Sequence, residues 1–265
     1  MNPPDLTEAD FAQLQPDTLI AAVESLGLDC DARIFPLNSY ENRVYQIGLY
    51  DSSPVIAKFY RPNRWTDAQI LEEHRFTDEL ANRDIPVIAP LQFQGSSLHR
   101  YHHYRFALYP RHGGRPPELD NPEHLRWLGR FIARIHATGS TQRFQYRPGL
   151  NTETFAIIPS RFLIDHGFIP DYLLDAYQSL IADLIPLLQQ RYDNQSPASL
   201  RLHGDCPPGN ILWTDSGPHF VDFDDSRSGP AIQDLWMLLS GSSQEQQIQL
   251  EKILEGYYDF HDFNP

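Results

Sequence analysis

The apolar positions of the chain change period as it runs. Between residues 16 and 26 they fall at Leu19, Ile20, Val23 and Leu26, one face of a helix that Gly27 closes. The spacing then becomes strand-like. Residues 33–37, 44–50 and 54–60 predict three strands of a meander, with Asp51-Ser-Ser-Pro54 as a turn. Thr66 is placed to cap a helix that runs to about Asn82 and turns Ile70, Leu71, Phe76 and Leu80 inward. Pro86 to Pro90 breaks the pattern, and residues 91–95 and 103–109 predict two more strands. From 110 to 122 the chain is rich in Gly and Pro and reads as a linker. Beyond it the helical period dominates. A helix over 122–138 carries Leu128, Phe131, Ile132 and Ile135 as its apolar stripe. Further helices are expected over 170–192, 234–239 and 245–260, with short strands at 201–203, 211–214 and 219–222.

This pattern predicts an α+β fold of two lobes. Residues 1–109 form an antiparallel β N-lobe with one inserted helix, and residues 110–265 form a mainly α-helical C-lobe. A cleft is expected at their junction, where ligands usually bind. With 265 residues and 41% hydrophobic content, each lobe can build its own core. No apolar run approaches eighteen residues, so no membrane partner is expected. Met1-Asn-Pro-Pro-Asp5 lacks the basic and apolar regions of a secretory leader. With only Cys30 and Cys206, a disulfide framework is not expected and a reducing cytoplasm is. The formal charge of −14 argues against nucleic acid as a partner, which calls for a basic footprint. A phosphate ligand on so acidic a chain requires local Lys or Arg side chains, or a metal ion.

The candidate chemistry lies between residues 202 and 224. Leu202-His-Gly-Asp-Cys-Pro-Pro-Gly-Asn-Ile-Leu212 places Asp205 and Asn210 five positions apart on a tight, Pro- and Gly-rich segment between two apolar strands. Asp205 can orient an attacking hydroxyl or accept its proton. Asn210 can offer its carbonyl oxygen to a hard cation. Asp222 ends the next strand, where a hairpin brings it back beside Asn210, and two oxygen ligands facing one point suit Mg²⁺. Single Asp or Asn residues here read equally well as turn formers. The ordered set His203, Asp205, Asn210 and Asp222 does not, because its members have separate mechanical roles. Asp-x4-Asn matches the kinase catalytic loop, and Asp222-Phe-Asp224 stands where that fold places Asp-Phe-Gly.

Lys58, in Val55-Ile-Ala-Lys-Phe59, sits inside an apolar strand, which is costly unless its charge is paired. It matches the strand lysine that holds the α- and β-phosphates of ATP, and its expected partner is Glu73 on the following helix, in preference to Glu72. The connection Leu37-Asn-Ser-Tyr-Glu-Asn-Arg-Val-Tyr45 takes the place of a phosphate-covering loop yet contains no glycine. Backbone N–H groups with Ser39 or Asn42 can still hold phosphate there. Ser39 is the nucleotide contact expected from its position in the hairpin. Asp234 opens a helix and reads as structural, capping it or bracing the catalytic loop from below. Cys206 reads as a passive small residue. Among eleven histidines, His99 and His103 are four apart but fall in a hairpin without a cysteine pair, so zinc is not expected.

With these residues in hand, the chain resembles the aminoglycoside-phosphotransferase-type, protein-kinase-like fold, and more closely the stress response kinase A family. The likeness rests on Pro36-Leu-Asn-Ser-Tyr-Glu-Asn-Arg-Val-Tyr-Gln46, Lys58-Phe-Tyr-Arg-Pro62, Trp65, Gln69-Ile-Leu-Glu-Glu-His74, Leu202-His-Gly-Asp-Cys206, Gly209-Asn-Ile-Leu-Trp213, Phe220-Val-Asp222 and Gln233-Asp-Leu-Trp-Met-Leu-Leu239. It implies a cytoplasmic, monomeric, ATP- and Mg²⁺-dependent kinase of serine or threonine in proteins, linked to stress survival and itself a phosphoprotein. Carried over, Asp205 and Asp222 are the catalytic aspartates, Asn210 and Asp222 hold Mg²⁺, and Ser39, Lys58 and Glu73 belong to the ATP site. A kinase of small hydroxyl compounds (aminoglycoside-, choline- or homoserine-like) and a catalytically weak nucleotide-binding regulator are the alternatives. Two departures stand out. Pro207 replaces the second histidine of His-Gly-Asp-x-His, which stiffens the loop. Family members also continue beyond the position of Pro265 with helices expected to wall the acceptor side, so the C-lobe is expected to lack some of them and to expose a normally buried face.

Overall fold

A lysine inside an apolar strand is tolerated when neighbouring elements bring it a counter-charge. In the computed structural model, which describes residues 11, 14–192 and 198–263, Lys58 lies on the middle strand of a five-stranded sheet. The elements in chain order begin with α1 (Pro16–Glu24), β1 (Cys30–Leu37), β2 (Arg43–Leu49), β3 (Val55–Tyr60), α2 (Asp67–Ala81), β4 (His99–Tyr101) and β5 (Tyr104–Pro110). Then come α3 (Pro122–Gly139), a π-helical turn (Glu153–Ile157) leading into α4 (Ile158–Asp165), α5 (Asp171–Arg191) and β6 (Leu200–Arg201). The chain continues through a 3-10 turn (Pro208–Asn210), β7 (Ile211–Thr214), β8 (Gly217–Phe220) and a second 3-10 turn (Phe223–Asp225). It closes with β9 (Ser228–Gly229), α6 (Ile232–Trp236) and α7 (Ser243–Tyr257).

The chain divides into two compact units. One runs through Pro117 and takes in Gly209–Asp224; the other holds Glu118–Pro208 and resumes at Asp225. In the first, the antiparallel order is β1-β2-β3-β5-β4, and Lys58 sits between Val44 and Ala107 in register. Its neighbours Ala57 and Phe59 are fully buried with Ile47, Phe106 and Leu108, and α1 covers this face with Leu19, Ala22 and Val23. Phe59 stacks on Phe106 at 5.3 Å between ring centres. Each such aromatic or branched side chain contributes roughly 1.5–3 kcal/mol by leaving water.

Helix α2 starts where the sequence predicts. Thr66 accepts from the Gln69 backbone N–H while the Gln69 side chain accepts from the Thr66 N–H, a capping box that stabilises by about 1 kcal/mol. It turns Ile70, Glu72, Glu73, His74, Phe76 and Leu80 inward. The strand expected over 91–95 is not formed. Gln94 and Gly95 take left-handed backbone angles, φ 54° and 79°, and close a turn in which Phe93 and Ser96 exchange hydrogen bonds. The sheet edge is the later and shorter β4.

The β7–β8 hairpin joins the first unit through backbone bonds. Ile88 N–H donates to the Phe220 carbonyl at 3.0 Å and Phe220 N–H to Pro86 at 2.8 Å; Arg115 and Trp213 exchange bonds of 3.0 and 2.7 Å. The hairpin is a two-stranded sheet of its own and belongs with the first unit, although it follows the second unit's helices in sequence.

In the second unit α3 packs on α7 with Leu125, Leu128, Ile132, Ile135, Ile253 and Tyr257 buried. At Gly129 a Cβ would collide with the Ile253 carbonyl oxygen, so glycine sets how closely these helices approach. The π-turn and α4 over 153–165 were not anticipated, because Pro159 and the mixed polarity there disguise the period. Along α5 no residue is buried, and Leu180 and Leu187 are 61% and 55% exposed.

Candidate active site: two aspartate-anchored loops

The second unit holds the loop of Asp205. Strand β6 pairs with β9 and delivers the chain to His203 and Gly204. Their backbone N–H groups donate to the two carboxylate oxygens of Asp234, each at 2.8 Å. Asp234 is fully buried at the start of α6. His136 of α3 donates from Nε2 to the same carboxylate at 3.0 Å, and its Nδ1 is hydrogen-bonded to the Tyr257 hydroxyl at 2.7 Å. Burial alone would raise the Asp234 carboxyl; the His136 hydrogen bond and charge, with the Gly204 N–H, hold it below its ordinary value. The Gln233 side chain donates to the Gly204 carbonyl at 3.1 Å. Gly204 itself has φ 90°, and a Cβ there would collide with the Asp225 carbonyl oxygen. Asp205 follows, half-buried, directly after this anchored backbone. Cys206 is buried, and burial, reinforced by Asp234 and Asp205, pushes its thiol well above the usual range, so it rests as a neutral thiol.

The first unit holds Lys58 and the residues after β8. Lys58 Nζ donates to Asp222 Oδ1 at 2.7 Å and pairs with Asp224 Oδ1 at 3.2 Å. Burial favours the neutral amine, but Asp222 and then Asp224 outweigh it and keep Lys58 charged well beyond its ordinary range. The two aspartates differ sharply in setting. The Asp222 side chain is 47% exposed and that of Asp224 7%. Asp222 has φ 61°, a left-handed conformation that Asp tolerates better than most residues. It turns the chain out of β8 into the 3-10 turn and presents its carboxylate to solvent. Asp224 Oδ2 accepts from Asn42 Nδ2 at 3.2 Å and from Trp65 Nε1 at 3.3 Å. Asn42 also accepts from the Arg61 N–H at 3.1 Å.

The remaining expected site residues fall as follows. Asn210 ends the 3-10 turn before β7 and is half-buried; its carbonyl accepts from Val221 N–H at 3.0 Å, which ties the two strand ends together one residue from Asp222. Ser39 is half-buried in the β1–β2 connection, beside Tyr40 at 92% exposed. Glu73 is buried on α2, with its carboxylate 3.6 Å from His74 Nε2. It adds to the charge that favours protonated Lys58, behind Asp222, Asp224 and Tyr109. The direct ion-pair positions on Lys58 are therefore held by aspartates of the β8 exit. Beyond the assigned residues, the structure adds Asp224, Asn42, Trp65 and His136. Asn42, considered as a phosphate ligand, has both ends of its amide engaged inside the protein. No sequence signal pairs it with Asp224, which lies 182 positions away.

The profile of the phosphotransferase enzyme family matches residues 33–264. Stress response kinase A of Escherichia coli strain K12 is 45% identical over 254 residues, covering 96% of this chain and 77% of its own length. The serine/threonine protein kinase RdoA of Salmonella typhimurium is 43% identical over the same span. Among solved structures, amicoumacin kinase hAmiN in complex with AMP-PNP, Ca²⁺ and Ami superposes with TM-score 0.73 at 18% identity, over 94% of this chain and 79% of that one. The microcompartment-associated aminopropanol kinase gives 0.72 at 18% identity, over 94% and 82%. These distant structures share the α+β kinase-like fold. The chain belongs to the phosphotransferase enzyme family, within its stress response kinase A branch, and is a kinase.

Proposed function

We propose that this chain is an ATP- and Mg²⁺-dependent serine/threonine protein kinase of the stress-response type, in which Asp205 orients the acceptor hydroxyl. The observation that carries this reading is the Lys58–Asp222 pair at 2.7 Å, joining the strand lysine and the loop carboxylate that phosphoryl transfer requires together. The protein acceptor is supported by the name of the Salmonella relative.

The donor set fits Mg²⁺. Among the described residues no group of three or more His, Cys, Asp or Glu side chains forms a closed metal site. A half-exposed Asp222 and the Asn210 amide supply two oxygen ligands, and Mg²⁺ takes few protein ligands beside phosphate oxygens and water. When bound, the ion would neutralise charge on the phosphates. The chain's own residues do the rest. Lys58 supplies a fixed positive charge toward the α- and β-phosphates, Ser39 and the backbone of residues 38–42 cover them, and Glu73 adds negative charge behind Lys58. Asp205 accepts a hydrogen bond from the attacking hydroxyl and takes its proton. The loop backbone held by Asp234 keeps that carboxylate in place, and Pro207 restricts it further. The first unit acts as the nucleotide-covering lobe and the second as the acceptor lobe. Cytoplasmic action accords with two free, buried cysteines, and no described helix is long and apolar enough to cross a membrane.

The test is transfer of labelled γ-phosphate from Mg·ATP to a generic protein substrate, with Asp205→Ala and Asp222→Asn alongside. Transfer that falls at least 100-fold in both variants supports the proposal. Phosphorylation of small amino alcohols or sugars without protein labelling replaces the acceptor, an outcome that suits the −14 charge. ATP binding without turnover in the wild type sinks the catalytic reading.

A further inference from the structure

Lys58 touches two carboxylates, and a single ammonium cannot neutralise both. The surplus negative charge belongs on the carboxylate that water can reach, which is Asp222. Asp224 shares Lys58 but differs in its setting. It is buried, one oxygen faces Lys58, and the other receives Asn42 and Trp65. Asn42 stands at the end of the glycine-free β1–β2 connection, and its second amide end accepts from Arg61, just past β3. One side chain therefore links the nucleotide-covering connection, the strand of Lys58 and the metal loop.

We infer that Asp224, rather than Glu73, is the standing counter-ion of Lys58, and that through Asn42 and Trp65 it fixes the connection over the phosphates. This inference rests on the nucleotide site proposed above. Asp222 is then the exchangeable partner: being exposed, it would be the carboxylate available to hold the cation, while Lys58 would keep Asp224 as its counter-ion beside the phosphates. Glycine-rich covering loops need backbone freedom to approach phosphates. A loop without glycine reaches comparable precision when its end is pinned, and the Asn42–Asp224 hydrogen bond supplies the pin. Asp224 is thus a positioning residue, acting through Lys58 and Asn42.

The test compares Asp224→Asn, Asn42→Ala and Glu73→Gln by steady-state kinetics in Mg·ATP and by binding of Mg-free ATP. Asp224→Asn keeps an acceptor for Trp65 but removes charge from Lys58. It should raise KM for ATP at least 10-fold, lower kcat by less than KM rises, and weaken Mg-free ATP binding in parallel. Glu73→Gln should raise KM less. Asn42→Ala leaves the Lys58–Asp224 pair in place, so it should raise KM for ATP about 5-fold. A Glu73→Gln rise in KM equal to or larger than that of Asp224→Asn overturns the inference. If Asp224→Asn fails to fold, Asn42→Ala decides, and an unchanged KM overturns it. Loss of the parent reading is seen separately, as wild-type protein without transfer to any acceptor; binding of Mg-free ATP to the same variants then gives the ranking.

Discussion

Asp224 and Asp234 are both buried carboxylates beside a candidate catalytic loop, yet they hold their loops by different means. Asp234 takes backbone N–H groups of His203 and Gly204, with His136 behind it. Asp224 takes side chains: Lys58, Asn42 and Trp65. A carboxylate bound to backbone fixes the path of the chain, and its loss leaves donors that no rotamer change can satisfy. A carboxylate bound to side chains fixes charge and register, and its partners can turn away when it is removed. The first is chiefly a matter of stability, the second of affinity and pH.

The largest effect separates the two directly. Asp234→Ala strands two buried N–H groups and His136, and should destabilise the second unit by about 3–5 kcal/mol, the usual range for breaking a buried charge network. Denaturant midpoints measure it, and transfer activity should be lost with the fold. An unchanged midpoint with activity lost would place Asp234 in the chemistry and end the comparison.

Gly204→Ala probes the same loop from the backbone side. At φ 90°, with the Asp225 carbonyl where a Cβ would stand, the left-handed penalty and the overlap together should cost about 2–4 kcal/mol. The measurement is again a denaturation midpoint, and a variant within about 0.5 kcal/mol of the parent would show that the loop can shift to make room.

Titration draws the contrast on another axis. Asp234 has its folded carboxyl below the ordinary 3.8. Its contribution to stability is therefore present above that value and is lost as pH falls toward and through the folded value. Lys58 is held well above the ordinary 10.5. Its contribution is fully present below 10.5 and is lost only as pH rises through the higher folded value. Stability against pH should therefore lose an acid component below about pH 4 in Asp234→Asn and an alkaline component above about pH 10.5 in Lys58→Met. Both limbs intact in both variants would refute the assignment.

Much of this was legible in the sequence, and the parts that were not share a physical cause. Local chemistry announced the Thr66 cap and the strand of Lys58, because each depends on neighbours a few positions away. The two-lobed α+β class followed from the change of period after the linker. What stayed hidden depends on distant partners. The hairpin of residues 211–220 joins the first unit through bonds to Pro86, Ile88 and Arg115. Asp224 reads as an ordinary residue after Phe223 until Asn42 is brought to it. The false strand at 91–95 has an alternating pattern, but two consecutive left-handed residues end it, a choice of backbone that periodicity does not record. Glu73 was chosen as the partner of Lys58 from helix spacing, and helix spacing says nothing of two aspartates that arrive from more than 160 positions later.

The smallest expected effect is the finest test of the side-chain anchor. Trp65→Phe keeps a ring of similar shape under Arg64, whose guanidinium carbon lies 5.0 Å from the indole centre, and deletes only the Nε1–H donor to Asp224. One hydrogen bond to a carboxylate of a buried network is worth about 1–3 kcal/mol, but Asn42 and Lys58 remain on Asp224 to absorb the loss. The expected cost is therefore about 1 kcal/mol in stability, with KM for ATP up about 2- to 3-fold. A double variant with Asn42→Ala should cost more than the sum of the two single changes, because each leaves the other as the remaining donor to the same oxygen. Strict additivity would mean that Trp65 and Asn42 act on Asp224 independently, and the side-chain anchor would then be a set of separate contacts instead of one network.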